Sequence, residues 1–265
     1  MLIPPQHTPT ELAAIALSLL LLGMSKGGFP VGAIALPLLV LVWPSQAGAA
    51  REAVGFLLPL LCLMDVIAIL IYRRSIEWKR LRHVLPGAVA GVALASALFV
   101  SEHHALIAVS DRILKIAIGV VGLLFVAYFA TRKWILAQLD DAAKPGWTIG
   151  SSFGVIAGIT SSLAHAAGPL MQMYLLPQHL PKIRFAATMA GFFFVLNLVK
   201  MVPFALLGRI QTDSLMLGAM MLPVIPTGVV LGHLLVRITR QRHYVGFIYT
   251  VLFVTSIALI VKALA

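Results

Sequence analysis

The sequence predicts an all-α polytopic membrane protein made of two inverted repeats, each a broken, re-entrant-type helical hairpin followed by three transmembrane helices. Composition is the first observation: 60% of the 265 residues are hydrophobic, 11% are charged, and the mean hydropathy is +1.00. A soluble core of this size does not need so many uncharged apolar runs, so we expect the runs to lie in a bilayer. The second observation is a glycine-rich break inside a long apolar stretch, which recurs about 135 residues later.

The first break reads Gly-Met-Ser-Lys-Gly-Gly-Phe-Pro over residues 23–30 and lies between the apolar arms Leu12–Leu22 and Val31–Trp43. As one helix, residues 11–43 would be about 50 Å long, against a hydrocarbon thickness of about 30 Å. Two arms folded back as a re-entrant or tilted hairpin fit this thickness. In hydrocarbon, a broken helix is tolerated only where protein or a water-filled cavity covers its freed backbone groups.

The second break reads Gly-Ile-Thr-Ser-Ser-Leu-Ala-His-Ala-Ala-Gly-Pro over residues 158–169. Its predicted arms are Trp147–Ala157 and Leu170–Leu176. Two broken helices in matching positions of a duplicated chain are typical of the substrate site of a transporter.

Six further runs are long enough to cross a bilayer, three after each hairpin. They are roughly Ala53–Tyr72, Val84–Val100 and Ile113–Ala130 in the first half, and Phe185–Leu207, Ser214–Val236 and Tyr244–Leu264 in the second. The predicted organisation is therefore an N-terminal repeat over residues 1–130, a cytoplasmic linker over 131–146 and a C-terminal repeat over 147–265.

Basic residues predict the orientation of the repeats. Lysine and arginine concentrate in loops 73–83, 131–146 and 237–243, and they are few in 101–111 and 208–213. Because short cytoplasmic loops carry the excess of positive charge, we place the first three loops in the cytoplasm. With three spans per half, the second repeat is then inverted relative to the first.

Lys26 is the candidate anion-binding residue of the first break, together with Ser25, Gly27 and Gly28. An ammonium at membrane depth costs at least about 2.5 kcal/mol, so it normally has a partner or a task. The glycines let a ligand approach the backbone closely. The alternative is a shallower tip with Lys26 snorkelling to the interface.

The second break offers hydroxyl groups and an imidazole, which are expected to donate hydrogen bonds to an anion. The candidate substrate-binding residues are Thr160, Ser161, Ser162 and His165. The alternative for the hydroxyls is that they bind freed carbonyl groups of their own broken helix.

Asp65, Asn197 and Lys200 lie within predicted spans. Asn197 and Lys200 share a helix face at i, i+3. Ionisable residues inside a bundle typically mark ion or proton paths, so Asp65 is the proton-coupling candidate, and Asn197 and Lys200 join the predicted substrate site. The alternative is a structural ion pair between Asp65 and Lys200.

Several classes of function are not expected. Most of the net charge of +11 lies in short loops, as in ordinary inner-membrane proteins, so nucleic acid is not a predicted partner. The sequence has no metal-ligand spacing and no nucleophile–base set, so no metal, cofactor or enzymatic activity is predicted. The single cysteine, Cys62, excludes an internal disulfide.

The motif over residues 23–30, followed by Leu36-Pro-Leu-Leu, Pro44 and Arg51, closely resembles the first repeat of the sulfite exporter TauE/SafE family. Leu176-Pro177 and the run Arg184-Phe-Ala-Ala-Thr188 are similar to its second repeat, and the resemblance covers nearly the whole chain. It implies a multi-pass permease of the bacterial inner membrane for sulfite, sulfonates such as sulfoacetate, or related organic anions. The chain departs from the family at its second break, where many relatives carry a glycine cluster.

The predicted function is a secondary active transporter that moves a small anion by alternating access, with a proton or the membrane potential as the coupling force. Its expected partners are the anionic substrate, the lipid bilayer and protons, and a homodimer is one option for its oligomeric state. The alternative function is a channel-like anion facilitator without proton coupling.

Overall fold

The structure is a computed structural model that describes residues 8–29, 31–43, 49–100, 146–165, 167–175, 180–210 and 212–238, with scattered positions in 116–131, 178 and 253–264. Every regular element within these ranges is a helix. The helices are α1 (Pro9–Lys26), α2 (Gly32–Val42), α3 (Ala49–Tyr72), α4 (Trp78–Leu81), α5 (Leu85–Val100), α6 (Trp147–Ala164), α7 (Gly168–Leu175), α8 (Lys182–Leu206), α9 (Thr212–Met220) and α10 (Val224–Ile238).

The first hairpin consists of α1 and α2, and its break is shorter than predicted. A capping box between Thr8 and Glu11 starts α1, and Pro9 occupies its first turn, where the missing N–H costs nothing. The helix continues through Gly23 to Lys26 and ends at Gly27, so the predicted end of the arm at Leu22 is wrong. Gly28 has φ +99, which glycine adopts without strain and which turns the chain.

The second hairpin consists of α6 and α7, and its break is also shorter than predicted. Helix α6 runs through Gly158 to Ala164 and ends at His165, which has φ 48. The predicted end at Ala157 is therefore wrong: Gly158 lies inside the helix and packs against the backbone of Ala88 and Gly91. With 18 residues each, α1 and α6 are about 27 Å long, whereas the 11 residues of α2 and the 8 of α7 give about 16 and 12 Å.

In the described part of the chain, three helices are long and apolar enough to cross a bilayer by length and composition: Pro9–Lys26, Glu52–Tyr72 and Lys182–Leu206. Two shorter apolar helices cover Leu85–Ala97 and Val224–Ile238. The predicted span Ser214–Val236 is divided into α9 and α10, because Pro223 has no N–H to continue the ladder. The structure describes only scattered positions of the predicted spans Ile113–Ala130 and Tyr244–Leu264, and these positions are helical.

Two helix crossings are built on glycine, and both are parallel. In the first, Gly23 of α1 packs against Gly228 of α10, and Gly27 packs against Gly232 one turn further along both helices. In the second, Gly87 and Gly91 of α5 pack against the backbone of α6. Small residues four apart let two backbones touch, which is a common way to join helices in membranes. Each crossing joins the first arm of a hairpin to a helix from the other half of the sequence.

Helices α3 and α8 form the centre of the molecule and run antiparallel. Gly55 lies against the carbonyl of Arg209, Asp65 contacts Asn197, and Glu77 contacts Arg184. Contacts nearer the C-terminal end of α3 therefore lie nearer the N-terminal end of α8. The two helices carry the charged side chains that sequence reasoning selected inside spans.

Candidate functional site

Lys26, Asp65 and Asn197 form a buried polar cluster between α1, α3 and α8. The ammonium of Lys26 lies 2.6 Å from Oδ1 of Asp65, and the amide of Asn197 donates a hydrogen bond of 2.6 Å to Oδ2. Asp65 is fully buried, and Asn197 is 1% exposed. The Lys26 ammonium also lies 4.3 Å from the ring centre of Phe193, a favourable cation–π distance. Lys26 therefore extends from the first break into the helix bundle and does not snorkel to the interface.

Lys200 lies one turn beyond Asn197 and faces the second break. Its Nζ contacts the carbonyl of Ser161 at 3.2 Å, the hydroxyl of Ser161 at 2.8 Å and Nδ1 of His165 at 2.9 Å. Lys200 is fully buried. Within the described part of the chain, no carboxylate lies at ion-pair distance from this ammonium. The predicted alternative of an Asp65–Lys200 ion pair is thus replaced by a pair between Asp65 and Lys26.

The contacts of His165 fix its tautomer. Nε2 lies 2.8 Å from the carbonyl oxygen of Val54, an atom that only accepts. In the neutral ring Nε2 therefore carries the hydrogen, and Nδ1 presents a lone pair to Lys200. His165 owes its position to the end of α6, where its left-handed backbone turns the ring towards α3.

The other hydroxyls of the second break bind their own helix. Thr160 donates to the carbonyl oxygens of Ile156 and Ala157, at 2.9 and 3.3 Å, and Ser162 donates to that of Gly158 at 2.9 Å. These are the contacts of the alternative interpretation, in which hydroxyls bind carbonyl groups of their own helix. Of these three hydroxyl residues, only Ser161 lies on the side of α6 that faces Lys200 of α8.

The glycines of the first break serve packing and turning. A Cβ on Gly27 would collide with the carbonyl of Val229 and lie 2.7 Å from the amide nitrogen of His233. A Cβ on Gly28 would lie 2.9 Å from that of Ala186. Ser25 lies just before these glycines, and its carbonyl oxygen accepts a hydrogen bond of 2.9 Å from the N–H of Gly28. These three predicted residues hold the break and lie beside the cluster.

Sequence reasoning missed Tyr72, which locks the first break. Its hydroxyl donates to the carbonyl of Gly27 at 2.8 Å, and Nδ1 of His233 lies 3.0 Å from the same hydroxyl. Because the carbonyl can only accept, the hydroxyl hydrogen points to it and His233 donates to the tyrosine oxygen. A tyrosine at the end of an apolar run gives no signal of this role in the sequence.

The two breaks contact opposite ends of α3. Gly27 is bound by Tyr72, the last residue of α3, whereas His165 is bound by Val54 near its start. These residues are about 27 Å apart along the helix. Polar groups lie between the two breaks in this order: Lys26, Asp65 and Asn197, then Lys200 with Ser161 and His165.

Ionisable residues buried between broken helices are typical of membrane transporters. The chain belongs to the sulfite exporter TauE/SafE family, whose family model matches residues 12–259, nearly the full chain. The resemblance stated from the sequence motifs is thereby confirmed, and members of the family are transporters for sulfite and related anions. No curated protein and no solved structure matches the chain.

Proposed function

We propose that this protein is a multi-pass secondary active transporter of the bacterial inner membrane that moves sulfite, an organosulfonate such as sulfoacetate, or a related small organic anion. The observation that carries the proposal is Lys200, whose buried amino group has only uncharged acceptors among the described residues. The charge of Lys26 is matched by Asp65, so a bound anion is the missing partner of Lys200. We do not propose an enzymatic activity or a cofactor.

The substrate-binding residues in this proposal are Lys200, Ser161 and His165, with Lys26 and Asn197 beside them. Ser161 and His165 lie in the break that departs from the family pattern of glycines, which supports a role in selecting the substrate. Charged hydrogen bonds to an anion are about twice as strong as neutral ones, and burial strengthens them further.

Alternating access follows, in this proposal, from two inverted repeats. Support comes from helix directions: α1 is parallel to α10, α5 is parallel to α6, and α3 is antiparallel to α8. Matching helices of the two halves, α3 and α8, thus run in opposite directions, as an inverted repeat requires. The basic loop 73–83 follows α3, which supports a cytoplasmic end at Tyr72.

Flux in sealed proteoliposomes tests this function. Vesicles containing the purified protein are expected to take up radiolabelled sulfite or sulfoacetate faster than empty vesicles, and a pH gradient is expected to drive accumulation above the external concentration. Equilibration without accumulation under any gradient would indicate the channel-like facilitator instead.

Two methionine variants of the same helix test the carrying observation. Lys200→Met should weaken anion binding about ten- to a hundred-fold, because it removes a charge-assisted contact worth about 1.5–3 kcal/mol. Lys182→Met is the matched control, since its ammonium is exposed and contacts only the carbonyl of Val236. Equal anion affinity in the two variants would contradict the proposed site.

A further inference from the structure

We infer that Lys200 carries the coupling proton and that Ser161 and His165 form a cradle that holds its side chain in both protonation states. This inference rests on the proposed anion transport and names the group through which it is coupled. The sequence alone selected Asp65 for this task, and the geometry of the two groups distinguishes them.

In the empty site, the cradle offers one acceptor for each hydrogen of the ammonium form of Lys200. A bound anion replaces the longest of these contacts, which is the 3.2 Å contact to the carbonyl of Ser161. An ammonium has three hydrogens and no lone pair, and it faces three acceptors: the carbonyl of Ser161, its hydroxyl oxygen and Nδ1 of His165. His165 can accept because the carbonyl of Val54 fixes the hydrogen on Nε2.

The same cradle satisfies the amine form without moving a heavy atom. An amine has two hydrogens and one lone pair. It keeps its bonds to the Ser161 carbonyl and to Nδ1 of His165, and the Ser161 hydroxyl rotates to donate to the lone pair. The proton leaves from Nζ and returns to Nζ, so only a hydroxyl hydrogen changes direction.

Asp65 lacks this freedom. Both of its carboxylate oxygens face N–H donors, Lys26 at Oδ1 and Asn197 at Oδ2, each at 2.6 Å. A proton on either oxygen would remove the negative charge that balances Lys26, and it would leave that buried ammonium unmatched. Asp65 is therefore suited to hold Lys26 as a fixed charge, and the mobile proton belongs to Lys200.

Charge balance couples this proton to the anion. Within the described residues, with Lys26 matched by Asp65, the ammonium of Lys200 is balanced only by the C-terminal end of α6, equivalent to about half an elementary charge. A buried charge without a full partner is costly, so the empty site holds the proton less strongly than the occupied site. An anion beside Lys200 favours the ammonium, and a proton is taken up with it and released where the anion leaves.

Few titratable groups surround Lys200 within the part of the chain that the structure describes. Lys26, Asp65 and Cys62 act on it electrostatically, and His165 contacts it directly. Lys26 and Asp65 hold each other as an ion pair, and His165 is held in one tautomer. A change of charge on anion binding therefore falls on Lys200.

Proton uptake during anion binding tests the inference. Sulfoacetate is the probe, because both of its acidic groups stay ionised near neutral pH, so a proton taken up belongs to the protein. The purified protein in weakly buffered detergent with a pH-indicator dye is expected to take up about one proton per sulfoacetate bound. The double variant Lys26→Met with Asp65→Asn removes both charges of the ion pair and leaves neither unmatched, so it should keep this uptake. Lys200→Met should lose it.

Two further variants keep the test decisive if Lys200→Met fails to fold. Lys200→Arg retains a permanent cation, and it should bind sulfoacetate with no proton uptake and lose accumulation driven by a pH gradient. Ser161→Ala removes a hydroxyl oxygen that accepts from the ammonium. This charge-assisted contact is stronger than the bond that the hydroxyl donates to the amine, so the upper pH limit of proton uptake should fall. Lys182→Met is expected to match the wild type in every readout.

The outcomes separate the inference from the proposed function. Anion transport with proton uptake that survives in Lys200→Arg and disappears in the double variant Lys26→Met with Asp65→Asn would overturn the role of Lys200 and leave the transporter intact. Wild-type vesicles that move neither sulfite nor sulfoacetate would overturn both.

Discussion

Loss of one member of the Lys26–Asp65 ion pair is expected to destabilise the protein far more than loss of both. The charged atoms are 2.6 Å apart, and Asp65 is fully buried. At this distance Coulomb's law gives about 6 kcal/mol with an effective dielectric constant of about 20, and much of that attraction only offsets desolvation. Lys26→Met leaves a buried carboxylate with Asn197 alone, so its cost is expected to be about 3–5 kcal/mol. Asp65→Asn leaves an unmatched ammonium and should cost a similar amount.

A double-mutant cycle measures this coupling. Unfolding free energies of the wild type, Lys26→Met, Asp65→Asn and the double variant are compared in one detergent, and the double variant should regain most of the loss. The exposed pair of Arg184 and Glu77, with nitrogen and oxygen 2.9 Å apart, is the control and should give about 0–1 kcal/mol. Strictly additive losses at Lys26 and Asp65 would refute the assignment of a buried, mutually dependent pair.

Three more measurements test the packing and the orientation. Tyr72→Phe removes the donor to the carbonyl at the first break and should lower the unfolding free energy by about 1–3 kcal/mol in denaturant titrations. Gly154→Ala forces a methyl group against the backbone of α5 and should cost about 1–3 kcal/mol, whereas Gly168→Ala, with open space at its Cβ, should be neutral; equal effects would contradict the glycine crossing. In a Cys62→Ser background, Thr8→Cys should react with an impermeant thiol reagent only from outside and Ser75→Cys only from the cytoplasm, and the opposite pattern would reverse the proposed orientation.

The class of the fold was predictable because it depends on properties that add up along the chain. Apolar runs of membrane length and the scarcity of charge predict helices in lipid wherever the fold places them. Helix ends were less predictable, since glycine has two uses that look alike in a sequence. The sequence pattern predicts the start of a break at Gly23 and at Gly158. Each glycine instead lies inside a helix and packs against the backbone of a neighbouring helix.

The members of the polar cluster were predictable one by one, and their pairing was not. The cost of placing a charge in hydrocarbon identifies Lys26, Asp65 and Lys200 as candidates from the sequence alone. Whether Lys26 or Lys200 pairs with the carboxylate of Asp65 depends on the single helical turn that separates Asn197 from Lys200. That turn sets Asn197 beside α3 and directs Lys200 to α6.

The glycine crossings constrain how the molecule is made. The glycine face of α1 packs against α10, which is synthesised long after α1. Until then the bilayer must hold α1 with a bare strip of backbone facing lipid or a temporary neighbour. Contacts between such distant parts of a chain form slowly, so native packing of the first hairpin is a late event in biogenesis. Truncated chains that lack α10 should therefore insert into the membrane and still be degraded as misfolded protein.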